Sequence, residues 1–129
     1  MALSFTTKLK ILFKLLFNYL VIQILIKTAS FKFLINYLES LKIKENKKNI
    51  KPSTVFLYER KIARKLKVTQ CLASAGCLFK TFKSLGYSAT MFIGIENARG
   101  FTSHSWVSVN NENYLKDDKK SFKEIYKIN

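Results

Sequence analysis

Residues 71–118 read CLASAGCLFKTFKSLGYSATMFIGIENARGFTSHSWVSVNNENYLKDD, and the predicted fold is built around them. In its first part, from Cys71 to Leu85, the apolar residues recur at helical spacing. Gly86 follows directly, at the place where glycine commonly ends a helix. This part therefore predicts one helix whose first residue is a cysteine.

Strands are predicted beyond this helix. Residues 87–95 and 101–109 are rich in β-branched and aromatic side chains, and a polar turn follows each of them. A short third strand is expected at Tyr114. The order helix–strand–strand–strand predicts an α+β fold, in which an antiparallel meander packs on the Cys71 helix. The apolar residues within 121–128 predict a final helical turn or two.

The residues ahead of Cys71 are predicted to form three helices. Helical spacing predicts the first helix over residues 4–27 and the third over residues 53–66. The second helix is expected to begin directly after Ser30, which can serve as its N-cap. Four apolar residues of the third helix are expected to point inward: Val55, Tyr58, Ile62 and Leu66.

A linker is predicted between the second and third helices. Residues 42–53 are charged and contain the chain's one proline, which favours a connection over a regular element. We therefore divide the chain into an N-terminal helical, basic support region, residues 1–52, and a core, residues 53–129.

The first predicted helix is strongly apolar. Its most apolar part, Ile11 to Ile26, is only 16 residues long and contains Lys14, whereas a spanning helix needs about 20 apolar residues. We expect a buried or interfacial helix, and contact with a membrane surface stays open. No small-residue cleavage site follows the apolar run, so a cleavable signal peptide is not predicted.

The net charge of +15 is unevenly distributed. Residues 1–70 carry 15 basic and 3 acidic residues, for +12, and residues 71–129 carry 8 and 5, for +3. The densest basic patch precedes Cys71 and consists of Arg60, Lys61, Arg64, Lys65 and Lys67. Such charge favours an acidic peptide, an anionic membrane or nucleic acid, or forms only a solvated lysine face. No nucleic-acid-binding fold signature is present, so no nucleic-acid partner is expected.

The two cysteines are not expected to pair. Cys71 and Cys77 are six residues apart, which separates them by about 240° on one helix. Unpaired cysteines are typical of a protein from the reducing cytoplasm. Cys77 lies in mid-helix among apolar neighbours and is expected to be an inert core thiol. One histidine and two separated cysteines do not make a ligand set, so neither a metal nor another cofactor is expected.

Cys71, His104 and Asp117 are the residue types of a thiol nucleophile, its base and the group that orients the base. A cysteine at a helix N-terminus faces unpaired N–H groups and the positive end of the helix dipole, which favour a thiolate. Its own N–H can donate to an oxyanion, and Gln70 is the candidate for a second donor. Asp118 is the alternative to Asp117, since the two point in opposite directions along a strand.

An ordered string of motifs resembles a known family. In chain order it consists of Cys71-Leu72-x-x-Ala75, Leu85-Gly86-Tyr87-Ser88-Ala89, Phe92-Ile93-Gly94-Ile95 and Phe101-x-x-His104-Ser105-Trp106-Val107. This string is similar to the transglutaminase-like cysteine peptidases of lasso-peptide biosynthesis, over about residues 55–118. The resemblance implies a transglutaminase-like or papain-like core, with Cys71 as nucleophile, His104 as base and Asp117 as orienting acid. Ser105 and Ser108 depart from the alanine and glutamate usual at these positions.

The resemblance also implies a role and partners. These peptidases remove the leader of a precursor peptide before a separate macrolactam cyclase closes the ring. Because residues 1–67 have helical spacing, and a fused winged-helix recognition domain would need strands, we expect a stand-alone peptidase with a separate leader-recognition protein. From this role, together with the unpaired cysteines, we expect a cytoplasmic location, with association to a membrane left open.

Two other functions stay open. The same fold can transfer an acyl group to an amine, as transglutaminases do, because the choice between water and amine depends on the shape of the pocket. The chain could also be a basic adaptor for a peptide or a membrane, in which Cys71 and His104 are only structural.

Overall fold

The computed structural model describes residues 5–43, 50–67, 71–96, 102–115 and 123–129. Within these ranges, helices form first and strands follow. The helices are α1 (Phe5–Thr28), α2 (Phe31–Ser40), α3 (Pro52–Leu66) and α4 (Cys71–Ser84). The strands are β1 (Ala89–Glu96), β2 (Thr102–Val109), β3 (Glu112–Tyr114) and β4 (Lys123–Ile128). This architecture confirms the predicted α+β fold, with helices ahead of a small antiparallel sheet.

The helix ends follow the local signals in the sequence. The hydroxyl of Ser30 accepts a hydrogen bond of 3.2 Å from the N–H of Phe33, as an N-cap should. Helix α3 begins with Pro52, whose missing N–H costs nothing in a first turn. Gly86 follows α4 with a φ of 94°, a conformation that glycine adopts without strain. The predicted bounds of α1, α3 and α4 and the predicted start of α2 are therefore confirmed to within a residue or two.

The sheet has the order β3-β2-β1-β4, and each neighbouring pair is antiparallel. Strands β1 and β2 pair so that Gly94 lies opposite His104 and Phe92 lies opposite Trp106. The side chain beside His104 on this strand pair is therefore a hydrogen atom, which leaves the imidazole room. The sheet thus presents the histidine at a defined position on its second strand.

The prediction of a helical turn within residues 121–128 is wrong, since β4 pairs with the free edge of β1. Ile128 lies opposite Met91, and both side chains are buried. Local spacing was compatible with a helix or a strand over so short a segment. The unpaired backbone groups of β1 decide the matter, because a strand there satisfies them.

Helix α1 packs against α4 along one face. Ile11, Leu15, Tyr19 and Ile22 are 2% exposed or less. Gly76 allows a close approach, since a β-carbon at this position would lie 3.1 Å from Cγ2 of Ile22. The division of the chain at residue 52 remains a prediction, because these contacts describe packing and do not report which part folds independently.

The predicted inward face of α3 is partly wrong. Val55 is buried as expected, but Leu66 is 47% exposed, and Tyr58 and Ile62 are only half-buried. The residues fully or nearly buried on α3 are Val55, Glu59 and Ala63, which recur at a spacing of four. An acidic residue on the inner face was not expected from hydropathy, and its partners explain it below.

Candidate active site

Cys71 and His104 lie in contact at the beginning of α4. Sγ of Cys71 is 3.2 Å from Nδ1 of His104, although 33 residues separate the two in sequence. Cys71 is the first residue of α4, and His104 is the third residue of β2. Both side chains are partly exposed, so a substrate can reach them. The structure therefore brings together a thiol at a helix N-terminus and an imidazole.

The other nitrogen of the imidazole contacts the main chain. Nε2 of His104 lies within hydrogen-bond distance of the carbonyl oxygen of Leu115. A carbonyl can only accept, so Nε2 carries a proton in this contact. In the neutral ring Nδ1 is then the acceptor, and it faces the thiol. This tautomer is the one that can take a proton from Cys71.

Leu115 has an unusual backbone conformation. Its φ is 70°, in the left-handed region that a bulky residue rarely adopts. Leu115 directly follows β3. Strand β3 is connected to β2 through Asn110 and Asn111, whose φ values of 53° and 65° suit a tight hairpin. Strained backbone of this kind often occurs at functional sites. This carbonyl could not be predicted from the sequence, because every residue type carries one.

Aromatic rings support the imidazole on β2. The rings of His104 and Trp106 are stacked, with centroids 6.2 Å apart and planes 22° apart. Phe92 on β1 stacks on Trp106 in turn, with centroids 5.4 Å apart. Trp106 is only 6% exposed. This packing restricts the orientation of the His104 ring, which the contact with Cys71 requires.

A buried ion pair lies behind the first turn of α4. The side chain of Glu59 is fully buried. Arg60 donates two hydrogen bonds to its carboxylate, from Nε to Oε1 at 2.6 Å and from Nη2 to Oε2 at 2.7 Å. The phenol of Tyr19 also donates to this carboxylate. Burial and the neighbouring Glu59 raise the pKa of Tyr19, so the phenol keeps its proton and remains a donor.

This ion pair is connected to α4 through Ser74. Its hydroxyl lies 2.9 Å from Nη2 of Arg60 and 2.8 Å from the phenol oxygen of Tyr19. Ser74 is three residues after Cys71, so the two side chains lie near each other on the helix. The network therefore ties the first turn of α4 to α1 and α3. Of its members, only Arg60 was singled out from the sequence, as part of an exposed basic patch.

The remaining predicted site residues lie outside the described part of the chain. Gln70, Asp117 and Asp118 are among these, so the oxyanion donor and the orienting acid stay predictions. Among the residues that the structure describes, no three side chains of His, Cys, Asp or Glu are placed to hold a metal ion together.

The second cysteine of α4 differs from the first. Cys77 is fully buried, and its thiol lies 3.4 Å from the carbonyl oxygen of Leu15, to which it donates. Burial raises the pKa of Cys77, because a charged sulfur would lose its solvation there. Both cysteines are free, as predicted from their spacing.

Alkylation should therefore distinguish the two thiols. We expect iodoacetamide at neutral pH to modify the folded protein once, at Cys71, and the unfolded protein twice. The physical reason is that Cys71 is accessible and has a proton acceptor at 3.2 Å, whereas Cys77 is buried. Peptide mass mapping would check this. Labelling of Cys77 at a comparable rate in the folded protein would contradict it.

The family model of the transglutaminase-like superfamily matches residues 28–127. The chain belongs to the transglutaminase-like superfamily. This superfamily includes cysteine peptidases and transglutaminases. Neither a search of curated proteins nor a search of solved structures gave a match.

The matched region of this transglutaminase-like chain includes both Cys71 and His104. It extends from the last residue of α1 to the last but one of β4. A thiol and an imidazole in contact can form and resolve a thioester, which is the chemistry that peptidases and acyl transferases share. The superfamily and this contact are together compatible with thioester chemistry at Cys71.

Proposed function

We propose that this protein is a cysteine peptidase that removes the leader from a ribosomally made lasso-peptide precursor. The observation that carries the proposal is the 3.2 Å contact between Sγ of Cys71 and Nδ1 of His104 at the N-terminus of α4. The motif string around these two residues resembles the leader peptidases of lasso-peptide biosynthesis. Superfamily membership supports the acyl-enzyme chemistry, and the resemblance supports the substrate.

The proposed reaction passes through a thioester. Sγ of Cys71 attacks the carbonyl carbon at the leader–core junction, while Nδ1 of His104 takes the thiol proton. The imidazole then gives this proton to the departing nitrogen, which becomes the free amino group of the core peptide. Nδ1 of His104 then deprotonates a water molecule, whose oxygen attacks the thioester. The C–S bond breaks, the leader leaves with a carboxylate, and Nδ1 returns the proton to the sulfur of Cys71. The N–H of Cys71, and in our proposal also Gln70, stabilise the oxyanion.

Asp117 is proposed to orient His104. The carbonyl of Leu115 contacts Nε2, so the main chain leaves β3 beside that nitrogen. Asp117 follows only two residues later, at most about 7 Å along an extended chain. Asp118 is the alternative, one residue farther on.

Substituting each aspartate should separate the two. We expect Asp117→Asn to lower kcat by roughly 10²-fold, less than the roughly 10⁴-fold known where a carboxylate alone sets the tautomer. The smaller loss is expected because the Leu115 carbonyl also holds the Nε2 proton. Asp118→Asn, the matched control, should leave kcat nearly unchanged. The reverse order of effects in steady-state kinetics would transfer the role to Asp118.

The proposed partners are the precursor peptide, a separate leader-recognition protein and a macrolactam cyclase. The described residues ahead of β1 form helices, so we do not assign leader recognition to them. Four exposed basic residues lie at the end of α3, shortly before Cys71: Lys61, Arg64, Lys65 and Lys67. Their charge suits an acidic leader segment. We propose no cofactor and no nucleic acid.

Mass spectrometry of a precursor peptide tests the proposal. The peptide is incubated with its recognition protein and with wild type, Cys71→Ala or Cys77→Ala. We expect a single cleavage by wild type and by Cys77→Ala, which removes a thiol from the same helix, and none by Cys71→Ala. Cleavage by Cys71→Ala at the wild-type rate would exclude the thiol as nucleophile. When an amine is added, a leader product heavier than the hydrolysed leader by the mass of the amine minus water would instead indicate acyl transfer.

A further inference from the structure

Helix α1 has an exposed apolar face. Seven large apolar side chains of this helix are at least 37% exposed: Phe5, Leu9, Phe13, Leu16, Phe17, Leu20 and Ile24. At 100° per residue they fall within an arc of about 120°, on the side opposite the residues that pack on α4. We call this set the outer face of α1. Contiguous apolar surface of this kind usually marks an interaction site.

Helix α1 is not free to cross a membrane. By length and composition α1 could do so, since its apolar window has a mean hydropathy of 1.9. Its inner face, however, is part of the protein core, where Leu15 and Tyr19 are fully buried. Nδ2 of Asn18 also donates to the hydroxyl of Thr81 on α4 at 2.8 Å. A spanning position would require all these contacts to break, so the helix can only lie along a surface.

The charge around the outer face points to an anionic surface. Helix α1 contains four lysines, Lys8, Lys10, Lys14 and Lys27, and no acidic residue. The whole chain carries +15. A second copy docked on this face would bring together two strongly positive molecules, which like-charge repulsion disfavours.

The composition of the outer face also favours lipid over a partner protein. Protein interfaces are enriched in Tyr, Trp, Phe, Met and Arg and depleted in Lys. Phenylalanine therefore fits either kind of surface, and the basic residues distinguish the two. The outer face consists of Phe, Leu and Ile, and the basic residues of α1 are all lysines. Phe and Leu on one side of a helix, with lysines near them, are typical of helices that lie in the membrane interface.

We propose that α1 binds the surface of an anionic lipid bilayer through its outer face, with the helix axis parallel to the membrane plane. The apolar side chains enter the boundary between headgroups and acyl chains, and the lysines contact anionic headgroups. Helix α4 packs on the opposite face of α1 and therefore remains on the aqueous side, together with the sheet, which packs on α4. This proposal concerns binding alone and does not rest on the proposed peptidase activity.

Vesicle sedimentation tests it with the full chain. Wild type is mixed with vesicles of phosphatidylcholine alone, or of phosphatidylcholine with phosphatidylglycerol. We expect binding that requires the anionic lipid. The double variant Phe13→Ser/Phe17→Ser should bind weaker by roughly tenfold per phenylalanine removed. The matched control is Leu57→Ser on α3. Leu57 is 61% exposed, which is close to the 62% of Phe17. The Leu57→Ser variant should bind like wild type.

Each remaining outcome would overturn the proposal. These outcomes are absence of binding to the anionic vesicles, equal binding to neutral vesicles, and unchanged binding by the double variant. Light scattering without lipid decides on a second copy: a wild-type dimer that the double variant abolishes, without vesicle binding, would assign the outer face to self-association. Circular dichroism and thermal unfolding of the variants show whether a loss of binding reflects a loss of fold. If Phe13→Ser/Phe17→Ser unfolds, Phe13→Ser and Phe17→Ser are tested singly. Each single variant should then bind weaker by roughly tenfold.

Discussion

Replacing His104 with alanine is expected to lower kcat for leader cleavage by roughly 10⁶-fold, the loss known for the histidine of a serine triad. Nδ1 of His104 faces Sγ of Cys71 at 3.2 Å, and the contact of Nε2 with the Leu115 carbonyl leaves Nδ1 as the acceptor. Without the imidazole, none of the residues that the structure describes offers another group at this distance to take the thiol proton or return it to the departing amine. KM should change little, because the ring is proposed to act on protons rather than to bind the leader.

A readout without substrate makes this prediction independent of the precursor. Alkylation of Cys71 at neutral pH should slow in His104→Ala, because the proton acceptor is gone, while Cys77 should stay protected by burial. The matched control is Ser108→Ala, two residues beyond Trp106 on the same strand. This variant should leave the alkylation rates of both cysteines unchanged. Equal alkylation and equal turnover in His104→Ala would show that the contact is structural only.

The pairing of Cys71 with His104 was predictable because both lie at defined positions of regular elements. A helix that begins at a cysteine, followed by two strands with a short connection, leaves few ways to pack. The Leu115 carbonyl was not predictable, since main-chain groups have no residue code and the left-handed φ of a leucine runs against its preference.

The buried face of α3 shows a different limit of sequence reasoning. Hydropathy favoured Leu66 and rejected Glu59, yet Leu66 is exposed and Glu59 is fully buried. Burial of a carboxylate is unfavourable unless charge and hydrogen bonds compensate it. Here the compensation comes from Arg60 next to it and from Tyr19, 40 residues away. No local window contains both partners, so only the tertiary structure could reveal the network.

The last strand shows the same limit for the sheet. Whether residues 123–128 form a helix or a strand depends on the open edge of β1, which precedes them by about 30 residues. The segment itself is too short for its apolar spacing to decide. Long-range pairing thus overrode a local pattern.

Replacing Arg60 with alanine is expected to lower the free energy of unfolding by about 3 kcal/mol. The substitution leaves the Glu59 carboxylate fully buried without the two guanidinium contacts that compensate its charge. The lower end of the usual range for a broken buried pair applies, because the Arg60 side chain is itself 38% exposed and solvent screens part of the interaction. Urea unfolding would measure the loss, which is a large share of the roughly 5–15 kcal/mol that holds a small domain folded.

Two further variants test whether the buried charge is the cause. Arg64→Ala removes an exposed arginine from the same helix and should change the free energy of unfolding by less than about 0.5 kcal/mol. Glu59→Gln keeps an acceptor for Tyr19 but removes the charge, so the double variant Glu59→Gln/Arg60→Ala should be more stable than Arg60→Ala alone. If Arg60→Ala were as stable as Arg64→Ala, the ion pair would not hold the first turn of α4, and the support of Cys71 would have to come from the apolar packing of α1 on α4.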